Sequence, residues 1–193
     1  KTIISNKQKL GTSFDFEAFY IGAYDFNFDL ASANDDTVLL QKIVTELLPN
    51  RPKDEANTQE LAFETQKVFA SETRNFGVWQ RAASKLSKTM ADDSTKAEFL
   101  FGEAFEIADN FNSENAQRAA RNLAEEAYNI KADFRYKMLE GYMAYLMKDY
   151  DAAKKLVTLA ENQTDNANNK RKASSLLKMI EKEISKESQT DDQ

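Results

Sequence analysis

Residues 139–160, LEGYMAYLMKDYDAAKKLVTLA, contain the clearest structural pattern in the chain. The stretch divides at Lys148 and Asp149 into two segments in which apolar or small residues recur every three or four positions, as on one face of a helix. Small residues occur in both segments: Gly141, Ala144, Ala153 and Ala160. Because small side chains allow two helix backbones to approach closely, the stretch predicts a tight helical hairpin, with Tyr150 filling the corner beside the turn.

This hairpin resembles a tetratricopeptide (TPR) repeat, in which small, aromatic and alanine residues recur at fixed offsets along two helices. The positions that match the family pattern are Gly141, Tyr150, Ala153 and Ala160. Three positions depart from it, since Ala144 and Val157 stand where an aromatic residue is usual and Lys137 stands where tryptophan is usual. The resemblance is clearest over residues 134–167.

A weaker copy of the same pattern lies at 95–130. Its matching positions are Gly102, Phe105, Ala120, Ala124 and Ala127, once three extra turn residues are allowed. In this alignment Gly102 is equivalent to Gly141. Their separation along the chain is longer than the ~34 residues of a regular repeat, and the turn insertion accounts for most of the difference. The resemblance implies a solenoid of antiparallel helix hairpins with a right-handed superhelical twist.

The whole chain reads as a single all-α domain over 1–193, with few glycines and prolines to interrupt its helices. The predicted helical hairpins are 12–48, 57–90, 95–130 and 134–162, and an amphipathic capping helix follows at 168–186. A loose lead-in is expected at 1–11 and a tail at 187–193, and prolines 49 and 52 mark the clearest loop. The first half could instead consist of unrelated helices packed on the array.

The absence of histidine and cysteine excludes several classes of function. It removes Ser-His-Asp and Cys-His catalysis, zinc fingers, haem or iron–sulfur ligation through these residues, and disulfides. We expect no cofactor and no metal, and any metal would require oxygen ligands, as calcium and magnesium do. The net charge of −6 argues against a nucleic-acid partner. The sequence contains no run of ~18 apolar residues, so we expect no membrane span.

Residues 14–30 are rich in aromatic and acidic side chains and contain no basic residue. The alternation at 24–29 is typical of a strand, whereas the wider spacing of apolar residues suits a helix. We favour a helix, because a lone strand pair would have no sheet to pack on. Its rings could form the core side of that helix, or an exposed docking patch at Phe26 and Phe28 that binds a partner, a sugar or a second copy.

Proteins that resemble TPR arrays generally bind other proteins through the groove formed by the first helix of each pair. The resemblance places these residues on that face: Arg135, Met138, Tyr142 and Tyr145, with Glu103 and Glu106 on the preceding repeat. Tyrosine and arginine are frequent binding hot spots, although Tyr142 or Tyr145 could instead pack between repeats. Acidic rims are expected to steer a basic partner. The basic pair of a TPR carboxylate clamp is not evident.

Other candidate residues have simpler structural explanations. The acids at 25, 29, 35 and 36 could ligate calcium or act as general acid and base, but capping or solvation explains them without an EF-hand pattern. The basic cluster at 168–172 could contact phosphate or an acidic partner, or be a solvated helix start at which positive charge opposes the helix dipole. Trp79 is expected in the core.

The resemblance favours a non-enzymatic adaptor or assembly factor that binds a protein or peptide partner. One alternative is an enzyme that uses carboxylates on a carbohydrate-type substrate, which requires two acids in one pocket. Another is a structural homo-oligomer that associates through residues 14–30. The first residue, Lys1, suggests a trimmed chain or a mature form after signal removal, so both a periplasmic or envelope location and a cytoplasmic one stay open.

Overall fold

The computed structural model describes residues 15–51 and 57–190, and every regular element within them is helical. The all-α expectation is therefore confirmed for this part of the chain, and residues 14–30 belong to a helix from residue 16 onward rather than to a strand. Four expectations fall outside the described residues: the lead-in 1–11, the aromatic Phe14, the loop beyond residue 51, and the end of the tail at 191–193.

Nine α-helices follow one another along the described residues. They are α1 (Phe16–Ala33), α2 (Thr37–Lys42), α3 (Thr58–Thr73), α4 (Phe76–Ser87), α5 (Asp93–Asn110), α6 (Glu114–Ile130), α7 (Phe134–Leu146), α8 (Tyr150–Asn162) and α9 (Ala167–Thr190). Each predicted hairpin range thus contains two helices, and the predicted capping helix is α9. The single domain over 1–193 stays a prediction.

Short polar side chains start the helices by accepting hydrogen bonds from backbone N–H groups that have no partner inside the helix. Asp149 does so for α8, Ser113 for α6 and Asp36 for α2. Helix α5 starts at Asp93, two residues before the predicted hairpin range 95–130. Asp92 caps it, because its carboxylate accepts hydrogen bonds from both the backbone and the hydroxyl of Thr95, at 2.9 and 2.6 Å.

The helix predicted to end at Pro49 changes type before it ends. Helix α2 continues as a π-helical turn, Ile43–Leu47, and then as a 3-10 turn, Leu48–Asn50. The backbone N–H of Leu48 donates to the carbonyl of Ile43, which is the wider spacing of a π turn. Since proline has no N–H to donate, the regular α ladder cannot continue through this point.

The described residues form two compact units, one up to Ala82 and one from Ala83 onward. In the first unit, α1 packs against α2 and α3. The Tyr24 and Thr65 hydroxyls form a hydrogen bond of 3.0 Å. Trp79 is buried, as expected, and the Lys67 ammonium lies 4.9 Å from the centre of its ring. This unit therefore has its own aromatic core.

In the second unit, each of the helices α5 to α8 packs against the next one along the chain. In addition, α5 contacts α7, and α7 contacts α9. Alternate helices therefore lie side by side, which brings residues far apart in sequence onto one surface. None of the helices in the described ranges is both long enough and apolar enough to cross a membrane.

Gly141 allows α7 and α8 to approach closely. A Cβ atom at this position would lie 2.6 Å from Val157 Cγ2 and 3.4 Å from Leu156 Cβ, so a larger residue could not fit without movement. Val157 is fully buried, as are Ala144 and Ala153. The predicted packing of this hairpin through small residues is therefore confirmed.

Gly102 does not have the role of Gly141, so this part of the predicted repeat alignment is wrong. A Cβ atom on Gly102 would meet nothing within 4 Å, and the residue is exposed. The turns after α5 and α7 occupy 111–113 and 147–149 and are equally long. There is consequently no turn insertion, and the two hairpins must be aligned in another register.

Lys137, at the position where a TPR repeat usually has tryptophan, is buried as part of an ion pair. Its ammonium lies 2.5 Å from the Glu140 carboxylate, which is also buried, and 3.8 Å from the centre of the Tyr128 ring. A buried charge requires such partners, because it has lost its hydration. The core of this hairpin thus contains a charged pair in place of one large ring.

A candidate binding groove across alternate helices

A groove of about 580 Å³ lies on the second unit, across α5, α7 and α9. These are the alternate helices that contact one another directly. The apolar residues that line it are Phe101, Phe105, Met138, Leu139, Tyr142, Leu176 and Met179, and the polar ones are Arg135, Asn168, Arg171, Lys172 and Ser175. The groove thus combines an apolar floor with a positively charged edge.

Three exposed apolar side chains, one from each helix, form what we call the apolar row: Phe105, Tyr142 and Met179. They are 54%, 42% and 48% exposed, respectively. Isolated exposed apolar residues are common on protein surfaces, but several that converge in one concavity are typical of an interaction site. The apolar row is therefore the feature of the groove that most needs an explanation.

The lining residues repeat with a constant separation of 37 residues. Phe105, Tyr142 and Met179 are related in this way, and the same separation links Glu98 to Arg135 and Ser94 to Lys131, pairs that are hydrogen-bonded at 2.5 and 2.9 Å. Equivalent positions of α5 and α7 are thus neighbours in space. This register replaces the one that paired Gly102 with Gly141.

Three of the six residues predicted to bind a partner line the groove: Arg135, Met138 and Tyr142. Tyr145 is half-buried between the rings of Tyr142 and Tyr150, whose centres lie 6.4 and 5.9 Å away. Tyr145 therefore stacks on Tyr142 and packs on the core formed by α7, α8 and α9.

The two predicted acidic residues of the rim are not among the residues that line the groove. Glu103 is buried on the core side of α5, and Glu106 is half-buried on the same helix. The acidic rim expected to steer a basic partner is thus not formed by these residues at the groove. The charge at its edge is positive instead.

Arg135 is held in place by two carboxylates and two rings. Its guanidinium lies 2.5 Å from Glu98 and 3.1 Å from Asp133, and 5.4 Å from the centres of the Phe101 and Tyr136 rings. The hydrogen bond from Arg135 holds the pKa of Glu98 below its ordinary value. Burial alone would raise the pKa of Asp133, but the hydrogen bonds from Arg135 outweigh it and lower that pKa. Arg135 is therefore already neutralised by its neighbours.

Arg171 and Lys172 of α9 form what we call the basic rim. Both side chains are exposed, and neither forms an ion pair or a hydrogen bond with any other described residue. They lie in the second turn of α9, near the helix end at which the dipole is positive. Positive charge is thus concentrated here without a direct ion-pair partner among the described residues.

Sequence reasoning noticed the basic cluster but did not place it at the groove. It also missed Phe101 of α5 and Leu139 of α7, and it missed Met179 because α9 was regarded as a cap whose polar sides face water. The signal that could have found them is the separation of 37 residues, which places Met179 in line with Tyr142 and Phe105. That signal is invisible when the hairpins are aligned on their glycines.

The acidic residues of the first unit have structural roles or lie in solvent. Asp36 caps α2, and Asp35 accepts a hydrogen bond from the Asn75 amide at 3.2 Å. Phe26 is 68% exposed, whereas Phe28 is half-buried and stacks on Tyr24. Within residues 15–51 and 57–190, no group of three or more acidic side chains is arranged to hold a metal ion.

Comparison with known proteins does not add an assignment to this geometry. No protein-family profile, curated protein or solved structure matches the chain.

Proposed function

We propose that this chain is a non-enzymatic interaction scaffold that binds a protein or peptide segment in the groove across α5, α7 and α9. The observation that supports this proposal is the apolar row of Phe105, Tyr142 and Met179, exposed in one concavity. Burial of apolar surface yields roughly 25 cal/mol per Å², so a partner that covers these three side chains gains affinity from each of them.

We further propose that α5 to α9 form a short TPR-like solenoid with a right-handed twist. Two hairpins, α5 with α6 and α7 with α8, would be successive repeats, and α9 would begin a third while covering the end of the array. Support comes from the contacts between alternate helices and from the common separation of 37 residues. In such an array the first helices form the concave surface.

The groove is suited to binding because its side chains are already held in place. Tyr142 is stacked on Tyr145, and Arg135 is fixed by Glu98 and Asp133. Side chains that are ordered before binding lose less conformational entropy when a partner arrives. Tyrosine and arginine in such settings are frequent hot spots.

Site-specific photo-crosslinking in the native cell tests this proposal. A photoreactive phenylalanine analogue at Tyr142 or Met179 should cross-link to a discrete partner, whereas the same analogue at Leu159 of α8 should not. Leu159 is a matched control, because it is as exposed as Tyr142, at 42%, and lies outside the groove. Equal cross-linking from Leu159 and Tyr142, or none from either groove position, would contradict the proposal.

Self-association through α1 is a second candidate function, supported by the exposure of Ile21, Phe26 and Leu30 on this helix. If it is correct, the mass in solution should rise with concentration, and Phe26→Asp should abolish the rise. Phe28→Asp is not suitable for this test, because Phe28 packs on Tyr24. A constant monomer mass in sedimentation experiments would exclude this function.

The carboxylate enzyme has less support. A general acid at neutral pH requires a carboxyl group with a raised pKa. The pKa of Asp92 is lowered by hydrogen bonds from Thr95, and those of Glu98 and Asp133 are lowered by Arg135. No aspartate or glutamate is among the described residues that line the groove, although Glu125 and Glu126 line a separate pocket together with Lys88 and Lys96.

A further inference from the structure

We infer that the segment bound in the groove is an acidic amphipathic helix of a partner protein, with apolar residues at heptad spacing and carboxylates along one flank. This inference rests on the proposed binding function of the groove. It goes further because it assigns the charge and the secondary structure of the partner. The acidic charge is opposite to that of the basic partner expected from an acidic rim, and it agrees with the acidic partner considered for the basic cluster at 168–172.

The charge of the partner follows from the charges at the groove. The Arg135 guanidinium is already paired with Glu98 and Asp133, so it attracts a further anion only weakly. The basic rim, Arg171 and Lys172, has no such compensation from the described residues. No aspartate or glutamate among the described residues lines the groove. A partner with carboxylates near the basic rim therefore gains Coulomb attraction, whereas a basic partner is repelled.

The overall charge of the chain narrows the class of anion. The net charge is −6, so the protein as a whole repels an extended polyanion such as a nucleic acid. A short acidic segment that contacts only the basic rim avoids most of this repulsion, because charges beyond about 10 Å are screened at ordinary ionic strength. A local acidic segment of a protein therefore fits better than a nucleic acid.

The helical conformation follows from the spacing of the apolar row. Its three side chains project from helices that pack side by side, and packed helices lie about 8–10 Å apart. Seven residues of an α-helix rise about 10.5 Å and return to nearly the same face. An extended segment also covers ~10 Å in three residues, but side chains three residues apart in it point to opposite faces. One side of a helical partner can thus contact Phe105, Tyr142 and Met179 in succession.

The position of the basic rim places the acidic residues of the partner. On α7 and α9, Arg135 and Lys172 precede the apolar-row residues Tyr142 and Met179 by two helical turns, or about 10 Å. A helix is about 10–12 Å in diameter with its side chains. If its apolar face lies on the apolar row, its flank therefore lies beside these cations, and the carboxylates belong on that flank near α9.

Selection from a displayed peptide library tests the inference with a defined probe. The library encodes 18-residue helical peptides that have leucine at heptad spacing and random Glu, Lys, Gln or Ser at the flanking positions. Wild-type protein should enrich peptides with Glu along one flank. The best such peptide, synthesised and titrated by fluorescence anisotropy, should have a Kd at least tenfold lower than the peptide with Lys at those positions.

Charge-reversal variants on one helix locate the effect. Arg171→Glu with Lys172→Glu should weaken binding of the acidic peptide at least tenfold. Lys178→Glu with Lys182→Glu should change it less than twofold, because these exposed lysines lie on α9 outside the groove and give the same change in net charge. Circular dichroism of each variant verifies that α9 remains folded.

The outcomes separate the inference from the proposed function. If the enriched peptides are neutral or basic but lose binding with Tyr142→Ser and Met179→Ser, the groove binds peptides and the acidic assignment is wrong. If the acidic peptide binds equally to both charge-reversal variants, or a single-stranded oligonucleotide displaces it, the assignment is also wrong. If no peptide is enriched above a scrambled library, the inference fails, and the cross-linking at Tyr142 and Met179 decides whether the proposed function fails with it.

Discussion

The two hairpins of the second unit, α5–α6 and α7–α8, use different residues for the same close packing. In the register of 37 residues, Ala104 corresponds to Gly141 and Ala120 to Val157. All four positions are buried. One hairpin thus has two alanines where the other has glycine and valine, which fill a similar total volume. We therefore expect close approach of helices to constrain the pair of residues across the contact, as at Gly141 and Val157, and not either residue alone.

The same two hairpins differ in the polarity of their cores. Leu100 of α5 corresponds to Lys137 of α7, and both are buried. Among the described residues, this position forms a buried ion pair only in α7, where Lys137 is paired with Glu140. Such pairs add little stability compared with apolar side chains, but they are costly to break. The hairpins should therefore respond very differently to single substitutions.

The largest effect is expected from Glu140→Gln. It leaves the ammonium of Lys137 buried beside Tyr128 without its counter-charge, which should lower the free energy of unfolding by about 3 kcal/mol. The matched control is Glu183→Gln, which removes the partner of Lys186 at the same sequence spacing but in a partly exposed pair. It should cost much less than Glu140→Gln, because both charges keep contact with water. Chemical denaturation measures both.

Replacing both members of the buried pair sharpens this test. Lys137→Leu with Glu140→Leu introduces the apolar character of Leu100 and should recover most of the stability lost in Glu140→Gln, since no charge is left buried. A double variant as unstable as the single one would show that the two side chains stabilise the hairpin in another way than by pairing with each other.

A smaller effect is expected from Gly141→Ala. The added Cβ collides with Val157, which costs about 1–3 kcal/mol, while alanine regains about 1 kcal/mol of helix propensity. We expect a net loss of up to about 2 kcal/mol in unfolding by urea. Gly102→Ala is the control, and it should gain up to about 1 kcal/mol, because its Cβ meets nothing within 4 Å.

The double variant Gly141→Ala with Val157→Ala reproduces the alanine pair of the first hairpin. The space opened at Val157 admits the new Cβ, so the double variant should be about 1 kcal/mol more stable than the sum of the single losses predicts. Strict additivity of the two losses would mean that these side chains do not compete for the same volume.

The smallest effect is expected in the turn between α7 and α8. Lys148 has a φ of 61°, in the left-handed region that favours glycine, whereas the turn between α5 and α6 has no such residue among those described. Lys148→Gly should relieve the strain and raise the melting temperature slightly, with a gain of about 0.5 kcal/mol. Lys155→Gly, within α8, should instead cost about 1 kcal/mol. A loss at both positions would contradict the assigned turn conformation.

Periodicity predicted the helices, because each of them has a repeating apolar or small side that a short polar residue precedes. It also predicted the contact between α7 and α8, since Gly141, Ala153 and Ala160 give the signal within a single hairpin. The register between hairpins was not predictable in this way. The alignment relied on Gly102, whose lack of a side chain reflects free space at the surface and not a helix contact.

The groove was predicted only in part for a related reason. The repeat at 134–167, in which the resemblance is clearest, contains Arg135, Met138 and Tyr142, so these residues could be placed from the family pattern. Met179 and the basic rim lie on α9, where an amphipathic pattern shows which side is buried but not which helix is its neighbour. Tyr145 differs from Tyr142 in exposure because it is enclosed by Tyr150 of the next helix, a contact that depends on the turn geometry.

Distances between spin labels at the apolar row test the central claim most directly. The chain has no cysteine, so cysteines placed at Phe105, Tyr142 and Met179, two at a time, can each be labelled without background. The account predicts nearly equal distances of roughly 10 Å, apart from the label linkers, for 105–142 and 142–179, and about twice that distance for 105–179. A 105–179 distance no longer than the other two, or unequal steps along the row, would contradict a groove built from helices repeated every 37 residues.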